Sequence, residues 1–171
     1  MSQPRGPHPT PAGPALKADG ETPGIAATLL TVARATNKAK IHDALCRSAG
    51  VDLDRSGSIL LYKLYSEGDE IHLTELAERL EIDSPAVTRK VQQLERGGFL
   101  HRSRDPDDAR AVRLSLTSVG RDAIERLLMA RQEWLDGLLE GWPNKDRAEF
   151  SRLVEKFALT ISRKGSLQDG A

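Results

Sequence analysis

The sequence predicts a mainly α-helical domain that carries one small antiparallel β-hairpin. Three observations point there. Two short amphipathic segments, 73–80 and 84–96, are separated by only Glu81-Ile82-Asp83. A strand-turn-strand pattern follows at once, with arms at 100–104 and 111–116. Longer segments with apolar residues at helical spacing flank this middle part on both sides, at about 24–49 and 118–163.

The first short helix places Leu73, Leu76, Ala77 and Leu80 at i, i+3, i+4 and i+7, one apolar face, with Thr74 as a candidate N-cap. The second opens on Ser84-Pro85. A serine there accepts a bond from an orphan backbone N–H, and proline has helical φ already and no donor to leave unpaired. It buries Val87, Val91 and Leu94 and stops at Gly97-Gly98, since glycine reaches the left-handed cap conformation without a Cβ penalty. Two helices joined this tightly could be a plain core hairpin. The opposite face argues against that: Thr88, Arg89, Lys90, Gln92, Gln93 and Arg96 stand there with Glu95 as the anion, donors and acceptors suited to phosphate oxygens and base edges.

In the hairpin, Val112, Leu114 and Leu116 alternate with Arg113 and Ser115, the period of a half-buried strand. The tip reads Asp105-Pro106-Asp107-Asp108-Ala109-Arg110. Asp-Pro favours a turn, and the carboxylates can hold the loop and orient Arg104 or Arg110 by charge-assisted bonds. An arginine on a narrow tip has the shape for a DNA minor groove. Ile71-His72-Leu73 is a short extended stretch placed to add a third strand beside the hairpin.

The order of helix, Ser-Pro-led helix, Gly-Gly-Phe-Leu, arginine-rich strand, Asp-Pro-Asp-Asp-Ala-Arg tip and Leu-Ser-Leu-Thr exit resembles the winged helix-turn-helix of MarR-type transcription regulators. The Asp-Pro-x-Asp-x-Arg tip, matched by Asp105, Pro106, Asp108 and Arg110, is its most specific part, and the likeness in order and length of elements runs from about 23 to 163. The resemblance implies a homodimer whose first and last helices pack against a second subunit. It implies sequence-specific binding of double-stranded DNA at a pseudo-palindromic site, with recognition helices about one DNA turn, roughly 34 Å, apart. Repression is the commoner outcome in the family. By the same resemblance Ser84, Pro85, Thr88, Arg89 and Gln92 sit at the end of the helix that enters the major groove. Arg89 is then the candidate for a base edge or a phosphate. Arg104 and Arg110 belong to the wing, Arg110 as the minor-groove residue with Asp108 as its orienting partner. Relatives commonly take small aromatic acids where the dimer helices meet the winged module. Arg34, His42, Tyr62 and Trp134 are the candidates to border such a cleft, although by spacing Trp134 reads equally as core and Arg34 as a solvated helix residue.

The remaining chain bounds these readings. Its 171 residues, 39% of them apolar, fit one domain with a real core. Lys and Arg balance Asp and Glu at 25 each, so a nucleic-acid surface has to be local. From 84 to 113 seven cations stand against four anions, a net +3 inside a neutral chain. The division expected is a disordered Pro-rich tail over 1–22, a single regulator domain over 23–163 and a polar tail over 164–171. Within that domain a DNA-binding module covers about 53–117, between dimerisation helices at about 24–49 and 118–163. A further helix is expected from about 54 to 66, and Thr117 and Asn144 as caps of the two that follow the wing. The lone cysteine, Cys46, excludes an intramolecular disulfide and a Cys-rich zinc site and fits a reducing cytoplasm. Arg47 beside it could lower its pKa, but a single cysteine on a helix reads better as an inert small apolar residue. The four histidines are scattered, so neither metal nor cofactor is expected. No apolar run approaches the roughly 20 residues of a membrane span. There is no phosphate loop, nucleophile elbow or His-Glu-x-x-His helix, so the chain is not read as an enzyme. The rival from another class is a winged helix used as a protein-interaction module without sequence-specific DNA binding.

Overall fold

The computed structural model describes residues 24–68, 70–80, 84–106, 108 and 111–168. The chain runs α1 (Ile25–Thr36), α2 (Ala39–Ala49), α3 (Arg55–Ser66), β1 (Glu70–His72), α4 (Leu73–Leu80), α5 (Ser84–Arg96), β2 (Leu100–Arg104), β3 (Val112–Leu116), α6 (Ser118–Leu138) and α7 (Asn144–Gln168). The expected class, mainly helical with a small antiparallel wing, is the one observed. The three strands form one sheet in the order β1-β3-β2, both pairings antiparallel, so the stretch before α4 does join the hairpin.

Leu114 and Ile71 pair across the sheet and, with Leu100, close its inner face. Leu60, Leu61 and Leu64 of α3, Leu76 of α4, Val91 and Leu94 of α5, and Ile124 and Leu127 of α6 fill the space above it. Each such side chain contributes about 1.5–3 kcal/mol by leaving water. By contrast, α1 has no buried residue, and every described side chain of α7 is exposed or half-exposed.

Local chemistry explains the boundaries. Asp54 caps α3, its carboxylate accepting from the Gly57 N–H at 2.7 Å, and Thr117 caps α6 through Gly120 N–H at 3.0 Å. At the end of α5, Gly98 has φ +74° and the Phe99 N–H returns to the Leu94 carbonyl, a Schellman closure. Gly120 has a different reason: a Cβ there would lie 1.8 Å from the Phe99 carbonyl oxygen. Here the first turn of α6 rests on the entry to the wing, and Thr117 Oγ1 donates to the Gly98 carbonyl at 2.6 Å.

Several boundaries differ from expectation. The single helix expected over 24–49 is two, broken where Lys38 turns extended (φ −67°, ψ 134°). The break separates two apolar phases: Ile25, Leu29 and Val32 of α1 stay exposed, whereas His42, Leu45, Cys46 and Ala49 of α2 are buried. One straight helix could not aim both stripes. Thr74 is not a cap, because β1 runs straight into α4 at Leu73. Nor does Asn144 cap α7; it is already the first helical residue, and the Pro143 carbonyl accepts from Arg147 N–H. The helix α7 also continues past Arg163 to Gln168, through the expected polar tail. The Pro-rich tail over 1–22 and the connection 81–83 lie outside the described residues, as does the side chain of Ser84.

Candidate nucleic-acid interface

α5 presents its outer face on a framework of α3, α4 and the sheet. Val87, Val91 and Leu94 anchor its inner face in the core. Pro85, Arg89, Gln92, Gln93 and Arg96 are exposed, and Thr88 is half-buried on the same helix. Arg89 has no hydrogen bond or ion pair among the described residues, so its guanidinium is available to an outside acceptor. Lys90 does not belong to this free face: its side chain is 18% exposed and pairs with Asp54 Oδ2 at 2.5 Å. Burial alone would raise the Asp54 carboxyl, but bonds from Lys90 and the Gly57 N–H outweigh it and hold the group below the ordinary carboxylate value.

Two of the four anions counted in this stretch are also answered internally. Glu95 accepts from Arg102 Nε at 2.7 Å, which ties α5 to β2. Asp105 is turned inward, 5% exposed, and takes bonds at 2.6 Å from both Arg113 Nε and His72 Nε2, and one from the Asp108 N–H at 3.2 Å. The first carboxylate of the tip thus faces neither solvent nor any phosphate (it is the clasp that joins β1 to the wing). Asp108 is exposed, with its carbonyl accepting from the Ala111 N–H at 2.9 Å, so it shapes the turn. Arg104 is exposed at the end of β2. Arg110, with Asp107 and Ala109, lies outside the described residues.

With Lys90, Glu95, Arg102, Asp105 and Arg113 committed to internal pairs, Arg89, Arg96 and Arg104 are the exposed cations left on the described part of this surface. The sequence patterns identified the residue types but missed that Lys90, Arg102 and Arg113 serve the fold. Their partners lie 36, 7 and 8 residues away, and only the 7- and 8-residue separations could be suspected from strand pairing.

A cavity of about 380 Å³ lies behind this surface, between the α1–α2 break, α3 and α6. Of the four residues proposed to border a ligand cleft, His42 and Tyr62 line it. Arg34 is an exposed residue of α1, and Trp134 packs against the core, so neither is brought to the cavity. Lys38, Arg55 and Arg131 line it instead, with Ile41, Ile59 and Leu128 as apolar wall and no carboxylate among the described lining residues. His42 is tied at the base, its Nε2 donating to the Leu53 carbonyl at 3.0 Å. Cys46 lies beneath it, and burial pushes its thiol up rather than down; Arg47 does not make it a ready thiolate. No helix among the described residues is long and apolar enough to cross a membrane.

The model of the MarR family matches residues 59–112, the stretch from α3 through the wing. An uncharacterised HTH-type transcriptional regulator of Bacillus subtilis, YdgJ, is 36% identical over 88 residues, 52% of this chain and 53% of its own length. The chain spans about half to two thirds of the length of the curated relatives it matches first. Among solved structures, a MarR family protein from Bacillus stearothermophilus superposes with a TM-score of 0.69 at 23% identity, covering 84% of this chain and 99% of the other. A MepR mutant of S. aureus bound to oligodeoxyribonucleotide superposes at 0.57 with 18% identity, covering 78% and 96%. Residues 59–112 thus match the MarR family model as a winged helix-turn-helix, set in a chain with the fold of solved MarR proteins.

Proposed function

We propose that the protein is a cytoplasmic, homodimeric transcription regulator, a repressor, that binds pseudo-palindromic double-stranded DNA. The observation that carries this reading is the sorting of charge around α5. Glu95 and Asp105 are neutralised from within, while Arg89 and Arg104 face outward on two neighbouring elements. Ser84, Pro85, Thr88, Arg89 and Gln92 then occupy the major groove, where one bidentate arginine–guanine contact is worth about 1–3 kcal/mol of discrimination. Arg104 and Arg110 serve the wing, Arg110 as the minor-groove residue with Asp108 as its orienting partner. The related MepR bound to oligodeoxyribonucleotide supports this use of the fold.

The exposed apolar residues of α1 and α7 support the dimer. Leu29, Val32, Phe150, Leu153, Val154 and Phe157 are each more than 40% exposed, too many large apolar side chains for a helix pair in water. The cavity's cationic rim and apolar wall suit a small aromatic carboxylate, which would shift the population between wing spacings if it prefers one of them.

The test is selection from a pool of randomised duplexes, with affinity for the enriched site measured against salt concentration. The expected result is an inverted repeat with half-sites about one helical turn apart and a steep loss of affinity with salt. A folded protein that enriches nothing, or a salt-independent complex with another protein instead, would replace this reading with that of an interaction module.

A further inference from the structure

α3 stands between the cavity and α5, and its first turn touches both. Arg55, Ser58 and Ile59 line the cavity. Asp54 and Gly57 meet α5: an added Cβ at Gly57 would come within 3.2 Å of Leu94 Cδ2. The Asp54 carboxylate divides its oxygens between the two helices. Oδ1 accepts from the Gly57 N–H and caps α3, while Oδ2 accepts from Lys90. Lys90 donates also to Gln93 Oε1 on its own helix at 2.8 Å, which fixes the direction of its stem. Arg89, the neighbouring cation, is exposed. Adjacent cations of one helix are therefore placed for different tasks, one inward and one outward.

We propose that Asp54 is a positioning residue for α5. Through Lys90 it sets the rotation of α5 about its own axis and so aims Arg89 and Gln92; Lys90 itself makes no phosphate contact. This rests on the DNA-binding reading above. A helix rotates about its axis more easily than it leaves its groove, because the apolar contacts of Val87, Val91 and Leu94 restrain distance better than azimuth. Tens of degrees of rotation are enough to spoil bidentate contact geometry.

The experiment uses the full chain and its selected duplex, with a scrambled duplex for comparison, over a range of salt. Asp54→Asn keeps a capping oxygen, Lys90→Met keeps the apolar stem, and Lys90→Arg keeps the charge. The expected result for the first two is a roughly tenfold lower ratio of specific to non-specific affinity. Their salt slopes and non-specific affinities stay at the wild-type values, the double variant is no worse than either single one, and Lys90→Arg retains most of the ratio. A purely structural role would lower the melting temperature and leave this ratio alone. A salt slope reduced by about 0.9 in Lys90→Met but not in Asp54→Asn would make Lys90 a phosphate contact and overturn the proposal. If the wild type prefers no duplex at all, the DNA-binding reading itself falls, a result distinct from the altered slope.

Discussion

The segment from α3 to α6 and the two terminal helices use their apolar residues in opposite ways. Between Leu60 and Leu127 most of the large apolar side chains converge on one another, and Leu61, Leu64, Leu76, Val91 and Leu114 are sealed. In α1 and α7 residues of the same types face out, with Ile25 78% exposed and Leu159 and Ile161 more than half exposed. Cohesion within one subunit therefore ends at the terminal helices. The winged segment satisfies itself, whereas the terminal helices carry faces that a single copy leaves in water.

The largest loss of stability is expected at Gly120, inside the self-sufficient part. Gly120→Ala puts a carbon against the Phe99 carbonyl, backbone against backbone, and is expected to cost about 3 kcal/mol or more in urea unfolding. An unchanged midpoint would mean that α6 does not rest on the wing entry. At the ends the effect should be on association alone. Leu153→Glu combined with Phe157→Glu is expected to weaken self-association at least about a hundredfold in sedimentation equilibrium, with the helical circular-dichroism signal kept. Retained dimers would place the interface elsewhere.

The cavity lies at the seam of the two regions, lined by Thr36 of α1 and by residues of α2, α3 and α6. Benzoate is expected to bind there, and Arg131→Gln to lower its affinity roughly tenfold, read by calorimetry, without altering self-association. Equal affinity in both proteins would remove the arginine from the site. The smallest effect is one of pH. Glu67, between α3 and β1, accepts from Lys63 and Arg79, and these bonds hold its carboxyl below the ordinary 4.5. A depressed carboxyl stabilises the fold fully above the unfolded-state value, and that contribution is lost as the pH falls through the folded-state value. Glu67→Gln should therefore lower the urea midpoint slightly at pH 7 and converge with the wild type as the pH falls through the depressed folded-state value. Parallel curves over the whole range would show that the pairs contribute nothing.

Most of the architecture was legible because it rests on local periodicity. The Leu73–Leu80 face, the Ser-Pro opening of α5, the glycine closure at Gly98 and the alternation from Val112 to Leu116 each announce themselves within a dozen residues. The break at Lys38 was readable in principle, since continuing the exposed phase of Ile25, Leu29 and Val32 leads to Lys40 and Asp43 rather than to Leu45 and Cys46. What spacing could not reveal is which charges are committed to partners. Lys90 looks like any other outward cation of α5 until Asp54 is brought beside it, and Asp105 looks like part of an acidic tip until it is seen folded in against His72 and Arg113. The cavity was half legible for the same reason. His42 and Tyr62 were placed there by resemblance, whereas Lys38, Arg55 and Arg131 converge only once the α1–α2 break and α6 are packed.

The burial of Cys46 has a practical side. It is the chain's one thiol, and it lies 6% exposed beneath His42. A maleimide or a nitroxide offered to the native fold therefore meets a silent background. A cysteine introduced at an exposed wing position, such as Ser103→Cys, would be the single reactive handle on each copy. In the proposed dimer, two labelled wings would form a molecular ruler, whose reading with and without duplex would report how far apart the wings stand.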